Sequence, residues 1–253
     1  MSKLVSIHSY RGGTGKSNTA ANLAATLVKY GKRVAVVDTD IQSPGIHVIF
    51  GFQEDQVSNS LNDYLWGRRP INEVAYDVTN TLGALARSGG KLLLVPSSTR
   101  TEDIARVLRE GYDIELLGQG LQDLISEFDL DFLLVDTHPG LNEETLLSIS
   151  VSDILFLILR PDAQDFQGTA VTVDVARKLK VPNLSMVVNK APQILDLDDL
   201  KSKVEKTYKA DVAGIFPHSD EMMLLGSKGL FVVDYPNNPV SKTFNEIANY
   251  CLI

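Results

Sequence analysis

One short segment of this chain combines glycines, a lysine and a serine in an order that suits the binding of phosphate groups. Residues 11–17 read Arg-Gly-Gly-Thr-Gly-Lys-Ser and stand between an apolar run and a run typical of a helix. Glycines let backbone N–H groups approach phosphate oxygens, and a helix N-terminus adds its positive dipole end. Lys16 can reach the β- and γ-phosphates, and the Ser17 hydroxyl can bind Mg²⁺. We predict a P-loop that contacts a nucleotide through Gly12, Gly13, Thr14, Gly15, Lys16, Ser17 and Asn18.

Acidic residues follow two further apolar runs that read as buried strands. Asp38 and Asp40 come after one of them, and Asp136 opens the sequence Asp-Thr-His-Pro-Gly after another. Ligands of open parallel sheets bind at the carboxyl ends of the strands, so these acids should lie near the phosphates. Asp38 and Asp136 suit a magnesium site in which water mediates the contact. Gly140 is expected to leave its N–H free to approach a γ-phosphate and sense its loss. Any one of these acids could instead cap a helix, but together beside a P-loop they favour a site.

The apolar run that ends at Asn189 and Lys190 is a candidate for recognition of a base. An amide offers a paired donor and acceptor, which can read the edge of adenine. The Asn-Lys pair resembles the guanine motif N-K-x-D, but position 192 is proline, so adenine is favoured. The competing interpretation is that Asn189 only caps the end of its strand.

The elements that must position these residues alternate between strands and helices along the chain. Apolar, β-branched-rich runs predict strands at 4–9, 33–38, 91–96, 131–137, 154–160, 184–189 and 212–216. Helices are predicted at 16–30, 102–128 (broken near Gly118 and Gly120), 169–179, 197–208 and 240–252. This alternation predicts an α/β fold with a doubly wound, mainly parallel sheet and helices on both faces. No linker-like stretch divides the chain, so we expect a single domain over 1–253.

Four segments of the chain resemble the ParA/MinD family of deviant Walker-A ATPases. Residues 11–17 resemble its P-loop, K-G-G-x-G-K-[ST], with arginine in place of the first lysine. Residues 38–40 resemble the second motif, in which the later aspartate orients the attacking water, so that Asp40 takes this role. Residues 136–140 resemble the D-x-x-P-G switch. Residues 214–217 resemble the segment that packs against the base, which implies a contact from Pro217.

The resemblance implies a function as well as a fold. It implies an ATPase that uses ATP and Mg²⁺, forms a homodimer when ATP is bound, and hydrolyses ATP slowly under stimulation by a partner. Such a switch positions or partitions a large cargo, such as a carboxysome or plasmid, over nucleoid DNA or a membrane. An adaptor or stimulating protein on the cargo is the implied partner.

Arg11 stands where the family lysine reaches across the dimer to the partner's phosphates. Arginine keeps the charge but carries a planar fork, so three possibilities follow. Arg11 acts in trans as an arginine finger; or it faces solvent while Arg160 or Lys190 enters the partner's site; or the protein hydrolyses ATP slowly without any cation in trans. Carboxysome-positioning ATPases include a subgroup without the signature lysine, and this chain resembles that subgroup.

Charge and composition limit the kinds of partner that the protein could bind. The 253 residues are 44% hydrophobic and carry a net charge of −8, so DNA or an anionic membrane would need a local basic patch. No basic residue follows Lys242 in the last predicted helix, which disfavours membrane binding. The single cysteine excludes multi-cysteine metal sites within one chain. Met1-Ser2-Lys3 leads into a predicted strand, so we expect no signal peptide and a cytoplasmic protein. Association with the nucleoid is a further expectation that the family resemblance implies. A DNA-binding face is suggested by Lys201, Lys203, Lys206 and Lys209. The competing interpretation is a solvated face of mixed charge, because Asp198, Asp199 and Glu205 share that helix.

The alternative function is a metabolic enzyme on the same scaffold, such as an ATP-dependent ligase or a small-molecule kinase. Such an enzyme needs a pocket for a second substrate, and the region 53–109 is long enough to build one. That region contains no evident cluster for clamping a carboxylate and no evident nucleophile.

Overall fold

The computed structural model describes residues 2–53 and 56–253 and has one sheet at its centre. Met1, from which the expectation about a signal peptide starts, lies outside the described residues. The strands are Lys3–His8 (β1), Arg33–Asp38 (β2), Tyr76–Asp77 (β3), Lys91–Val95 (β4), Phe132–Asp136 (β5), Ile154–Leu159 (β6), Asn183–Ala191 (β7) and Asp211–Pro217 (β8). Their order across the sheet is β3-β4-β2-β5-β1-β6-β7-β8, and every pairing is parallel except that of β3 with β4.

Helices cover both faces of this sheet. They are Lys16–Lys29 (α1), Ile46–Ile49 (α2), Leu61–Leu65 (α3), Thr101–Glu110 (α4), Ile114–Glu127 (α5), Glu143–Ser150 (α6), Ala163–Lys178 (α7), Leu197–Tyr208 (α8), Asp220–Leu225 (α9), Phe231–Asp234 (α10) and Pro239–Leu252 (α11). Two 3₁₀ helices, Ile71–Val74 and Thr79–Ser88, stand on either side of β3. The predicted doubly wound, mainly parallel α/β fold is therefore confirmed.

The core explains why the strands read as continuous apolar runs. All six residues of β6 are buried, because helices pack against the sheet from both sides. One hydrophobic cluster joins α1 and α11 to one face of the sheet. Two clusters occupy the other face, one with α3 and α5 and the other with α7 and α8. In residues 2–53 and 56–253, no helix is both long and apolar enough to span a bilayer.

Two helix predictions were wrong in their boundaries. The stretch 102–128 does not break at Gly118 and Gly120, which lie inside α5. It breaks at Gly111, whose φ of +66° ends α4, and α5 begins after Asp113, whose side chain accepts two backbone N–H groups. The helix predicted at 169–179 begins earlier, because Asp162 caps the N-terminus of α7.

Parallel strand order brings three segments to one edge of the sheet. β1 lies between β5 and β6, and β5 also pairs with β2. The loops that follow β1, β2 and β5 therefore leave the same edge side by side. These are the loops that carry the predicted P-loop, Asp40 and the Asp136–Gly140 segment.

Candidate nucleotide-binding site

The loop between β1 and α1 has the backbone of a phosphate cradle. Gly13 and Gly15 adopt φ values of +75° and +100°, in the left-handed region that favours glycine. A Cβ atom at Gly15 would collide with the side chain of Asn189, so only glycine fits there. The loop and the N-terminus of α1 line a cavity of about 380 Å³. Backbone N–H groups of the first helical turn have no partner within the helix and can bind an anion there.

Lys16 is the cation of this cavity. It is buried, and its Nζ donates to Ser9 Oγ at 3.3 Å. Burial lowers the pKa of Lys16, while the negative charges of Asp136, Asp40 and Asp38 raise it. The side chain is therefore held next to three carboxylates in a cavity that a phosphate could enter.

Asp38 and Asp136 form a buried pair of like charges. They are direct neighbours in the register of β2 and β5, and both are buried. Burial raises the pKa of Asp38 well above its usual range, and the charges of Asp136 and Asp40 raise it further. The Asp38 oxygens accept the N–H groups of Asp40 at 3.0 Å and Gly45 at 3.3 Å. Asp38 therefore also shapes the loop after β2.

Asp136 is the acid with an unused oxygen. Burial raises the pKa of Asp136 to about 7, against the hydrogen bond from Ser17 and the positive charge of Lys16. Within the described part of the chain, Asp136 Oδ1 is buried and has no hydrogen-bond partner. A buried acceptor left in this way calls for a ligand that the protein itself does not supply.

The donor set beside Asp136 fits Mg²⁺. Ser17 and Asp136 offer a hydroxyl and a carboxylate, which are hard oxygen ligands. No group of three or more His, Cys, Asp or Glu that could hold a metal ion occurs in residues 2–53 and 56–253. Mg²⁺ usually retains waters and binds through one or two protein oxygens together with substrate phosphates, which agrees with this sparse set. A bound Mg²⁺ would neutralise charge on those phosphates.

Asp40 and His138 face the same cavity and contact each other. Both line it with Lys16 and Pro139. His138 Nδ1 lies 2.6 Å from Asp40 Oδ1. The sequence pointed to Asp40, whereas His138 drew attention only because it lies within the Asp136–Gly140 segment.

Gly140 adopts the left-handed conformation expected for its turn, but its N–H is not free. Its φ is +85°, and its N–H donates to Ser9 O at 3.1 Å. The prediction of a free N–H therefore differs from the structure, because the turn after β5 packs directly against the start of the P-loop. Approach of this N–H to a phosphate would require the bond to Ser9 to open.

A second cavity of about 370 Å³ adjoins the first and is suited to a base. Its apolar wall includes Phe216, Met222, Met223 and Phe244, with Pro217 beside them. The two cavities are direct neighbours, because three residues line both of them: Gly15, Asn18 and Ser227. The methionines and Ser227 were missed by sequence reasoning, because no motif marks them and about 200 residues separate them from the P-loop.

Asn189 and Lys190 lie at the junction of the P-loop and the base cavity. Asn189 Nδ2 donates to Thr14 O at 2.7 Å, and Lys190 Nζ donates to Gly13 O at 2.9 Å. Both side chains therefore bind the P-loop backbone while also lining the second cavity. One amide hydrogen of Asn189 remains for a base, since an amide carries two.

Arg11 is bound within its own chain. Its guanidinium contacts Asp165 at 3.2 Å and Asp162 at 3.7 Å, at the N-terminus of α7. Arg160 contacts the same two acids, at 3.1 Å and 3.2 Å. The preceding residue, Tyr10, packs over Gly168 of α7. No motif in the sequence indicates this arrangement, in which Arg11 and Asp165 are 154 positions apart.

The sheet topology, the glycine loop and the paired cavities define a P-loop nucleotide-binding protein. A family model described as "AAA domain" matches residues 2–186, and the chain belongs to this family.

Relatives of this chain extend over nearly its whole length. It is 27% identical over 249 residues to an uncharacterized ATP-binding protein of Methanocaldococcus jannaschii, covering 98% of this chain and 87% of that protein. It is 26% identical over 262 residues to the septum site-determining protein MinD of Bacillus subtilis, covering 100% of this chain and 90% of that protein.

Solved structures share the fold. MinD of Pyrococcus horikoshii, solved in complex with Mg-ADP, matches with a TM-score of 0.80 at 19% identity, covering 99% of this chain and 96% of that chain. Apo McdA from Cyanthece matches with a TM-score of 0.76 at 17% identity, covering 100% of both chains. The resemblance to the ParA/MinD family that the sequence indicated is confirmed.

Proposed function

We propose that this protein is an ATP-hydrolysing switch that dimerises when it binds ATP and positions or partitions an intracellular cargo. The observation that carries the proposal is the buried Asp136 oxygen, which has no hydrogen-bond partner in the described residues. Its carboxylate lies beside Ser17 and Lys16, which line the glycine cavity. A magnesium nucleotide would satisfy that oxygen, the loop N–H groups and the Lys16 charge together. The relationship to MinD supports the switch function.

Polar side chains in and beside the cavity have separate tasks in hydrolysis. The water oxygen bonds to the γ-phosphorus, and the bond from that phosphorus to the oxygen retained by ADP breaks. Asp40 orients the water, whose proton passes to the carboxylate or to solvent, and the products are ADP and inorganic phosphate. Lys16 stabilises negative charge on the transferring phosphoryl group. Ser17 and Asp136 would hold Mg²⁺, and Asp38 on the neighbouring strand would contact it through a water.

The test measures phosphate release and association state in parallel. We expect ATP with Mg²⁺ to give dimers in sedimentation velocity and ADP to give monomers. Lys16→Ala should reduce phosphate release by about 100-fold or more, since it removes a charge from the transition state. Lys32→Ala is the control, because Lys32 pairs with Asp131 away from the cavity. Monomers in both nucleotides would contradict the switch, and absence of phosphate release would contradict the hydrolase.

The role of Arg11 in a dimer is a separate part of the proposal. We favour action in trans, which requires Arg11 to leave Asp165 and Asp162 when the dimer forms. Arg11→Ala should then dimerise normally and hydrolyse ATP about 1000-fold more slowly, in the range of arginine fingers. Normal hydrolysis by Arg11→Ala would assign the task to Arg160 or Lys190, or to no cation in trans.

We propose nucleoid DNA as the matrix and a protein on the cargo as the stimulating partner. Lys201, Lys203 and Lys206 are exposed on α8, although the exposed Asp198 and Asp199 share that helix. Phosphate contacts of this kind bind DNA without reading its sequence.

The DNA proposal is tested by a charge reversal. The double change Lys203→Glu and Lys206→Glu should abolish a shift of random duplex by the ATP-bound protein. Wild-type affinity should fall about tenfold or more between 50 and 200 mM salt. Lys29→Glu with Lys32→Glu is the control, because it makes an equal change of charge at and just after the C-terminus of α1, which packs on the other face of the sheet from α8. Equal loss in both variants would indicate net charge rather than a face on α8.

We propose that no membrane is involved at α11 and that the protein acts in the cytoplasm. The apolar side of α11, which includes Phe244, Ile247 and Cys251, is buried against the sheet. This apolar face is therefore already occupied and cannot lie in a bilayer while the helix is docked.

A metabolic enzyme receives less support from the region between the second strand and α4. There Asp63 and Asp103 form ion pairs with Arg68 and Arg100 at distances of 2.7–3.3 Å. Charged groups that could clamp a second substrate are thus paired with one another in the described part of that region.

A further inference from the structure

His138 and Asp40 occupy equivalent positions on neighbouring loops. Asp38 of β2 and Asp136 of β5 are partners in the strand register. Asp40 and His138 each stand two residues beyond that pair, on loops that leave the same edge of the sheet. The backbone therefore brings the two side chains together, and His138 Nδ1 lies 2.6 Å from Asp40 Oδ1. A carboxylate can only accept, so the imidazole N–H is the donor.

The hydrogen bonds to Asp40 leave one side of its carboxylate toward the cavity. Oδ1 accepts from His138 and, at 3.2 Å, from the N–H of Ser43. In the described residues, both hydrogen bonds to this carboxylate use Oδ1. Oδ2 is therefore the oxygen available to a water, and the bond from His138 sets the angle at which it is presented.

The imidazole is itself on a rigid support. Thr137 donates to Ile7 O through its N–H at 3.3 Å and its hydroxyl at 3.0 Å. On the other side, Gly140 donates to Ser9 O at 3.1 Å. The segment on either side of His138 is thus bound to β1 and to the start of the P-loop, so the ring position depends on the P-loop.

We propose that His138 is a positioning residue for ATP hydrolysis, which fixes the Asp40 carboxylate through the Nδ1–Oδ1 hydrogen bond and so couples the water-orienting acid to the segment after β5. The inference rests on the proposed function, because it assigns a task within that reaction. His138 holds Asp40 and does not itself contact the reacting atoms. Its loss should therefore slow the chemical step while nucleotide binding, which depends on the glycine loop and Lys16, remains.

Two substitutions of His138 in the full chain separate positioning from folding. His138→Ala should lower kcat for phosphate release by about 10- to 100-fold, the usual cost of losing a residue that orients a reacting group. KM for ATP should stay within about threefold, since uniform binding is untouched. His138→Asn places an amide N–H close to the position of Nδ1 and should recover kcat to within about fivefold of wild type. Arg69→Gln, which breaks an exposed ion pair with Glu73, is the control.

The outcomes distinguish this inference from the function on which it rests. A wild type that binds but does not hydrolyse ATP overturns both. A wild type that hydrolyses ATP beside a His138→Ala variant with unchanged kcat overturns only the positioning role. The role is also overturned if the loss appears in KM alone, or if His138→Asn is as slow as His138→Ala while both unfold at the wild-type temperature.

Discussion

The substitution Asp136→Asn should make the stability of the nucleotide-free protein less sensitive to pH. Burial raises the pKa of Asp136 from 3.8 to about 7. The folded protein thus binds this proton more tightly than the unfolded chain, and stability is lost as the pH rises from the unfolded toward the folded pKa. The difference corresponds to about 4 kcal/mol in total, of which about 2 kcal/mol falls between pH 5.5 and pH 8.

Urea unfolding in EDTA measures this effect without metal. Relative to Asp136→Asn, the wild type should lose about 2 kcal/mol of unfolding free energy between pH 5.5 and pH 8. Groups on which the Asp136 charge does not act, such as the buried His8, cancel in the comparison. Asp38 does not cancel, because the Asp136 charge raises its pKa, and the difference between the two proteins includes this coupling. Asp174→Asn changes an exposed carboxylate and serves as the control for net charge. If the unfolding free energies of wild type and Asp136→Asn changed equally with pH, the raised pKa of Asp136 would be refuted.

The raised pKa of Asp136 also predicts how the effect of Mg²⁺ on ATP binding should change with pH. Metal binding requires the carboxylate form, so below pH 7 the Mg²⁺-dependent gain in ATP affinity should fall by about tenfold per pH unit. Asp136→Asn should remove most of that gain at pH 8. A gain that is equal at pH 5.5 and pH 8 would place the metal away from Asp136.

The remaining predictions concern packing and reactivity. Gly120→Ala should cost about 1–3 kcal/mol of unfolding free energy, because its Cβ would lie 2.5 Å from Tyr64 Cε1. Gly118→Ala in the same helix should stabilise by about 0.5–1 kcal/mol, because its Cβ would make only ordinary contacts, 3.7 Å from Leu147; urea unfolding of both variants measures the difference. Asp165→Asn should lower the free energy of unfolding by about 1–3 kcal/mol, since this buried carboxylate binds the guanidinium groups of Arg11 and Arg160. Urea unfolding at neutral pH that gives the same free energy for this variant and the wild type would contradict the prediction. Cys251 should react with a thiol reagent only after unfolding, because burial raises the pKa of the thiol to about 12.

The carboxyl ends of the strands were predictable, because a few consecutive residues mark them. Apolar runs followed by acids placed Asp38, Asp40 and Asp136 after strands, and parallel pairing then brought them to one edge. The P-loop likewise needs only a strand, glycines and a helix start in succession. Both predictions depend on geometry that a few consecutive residues determine.

Helix boundaries in the middle of the chain were less predictable, since tertiary contacts decide them. Gly118 and Gly120 looked like a break, because glycine costs a helix conformational entropy. The structure keeps both inside α5, and Gly120 leaves the space that the Tyr64 ring occupies. Gly111, with its positive φ, ends α4 instead. Asp113, the capping residue two positions after Gly111, is the local sign of that break. The close contact of Gly120 with Tyr64, more than fifty positions earlier, arises only in the fold.

The residues of the candidate site also differ in how far local sequence could predict them. Residues that precede or follow a central strand were found, whereas Met222, Met223 and Ser227 were not, because they come to the cavity only through the packing of the last third of the chain. His138 shows why register carries information that a motif does not. A motif lists His138 beside Asp136, but only the pairing of β2 with β5 sets it opposite Asp40. A one-residue shift of that pairing would set Asp40 level with Thr137 or Pro139 instead of His138. The contact therefore depends on the strand register as much as on the two residues that make it.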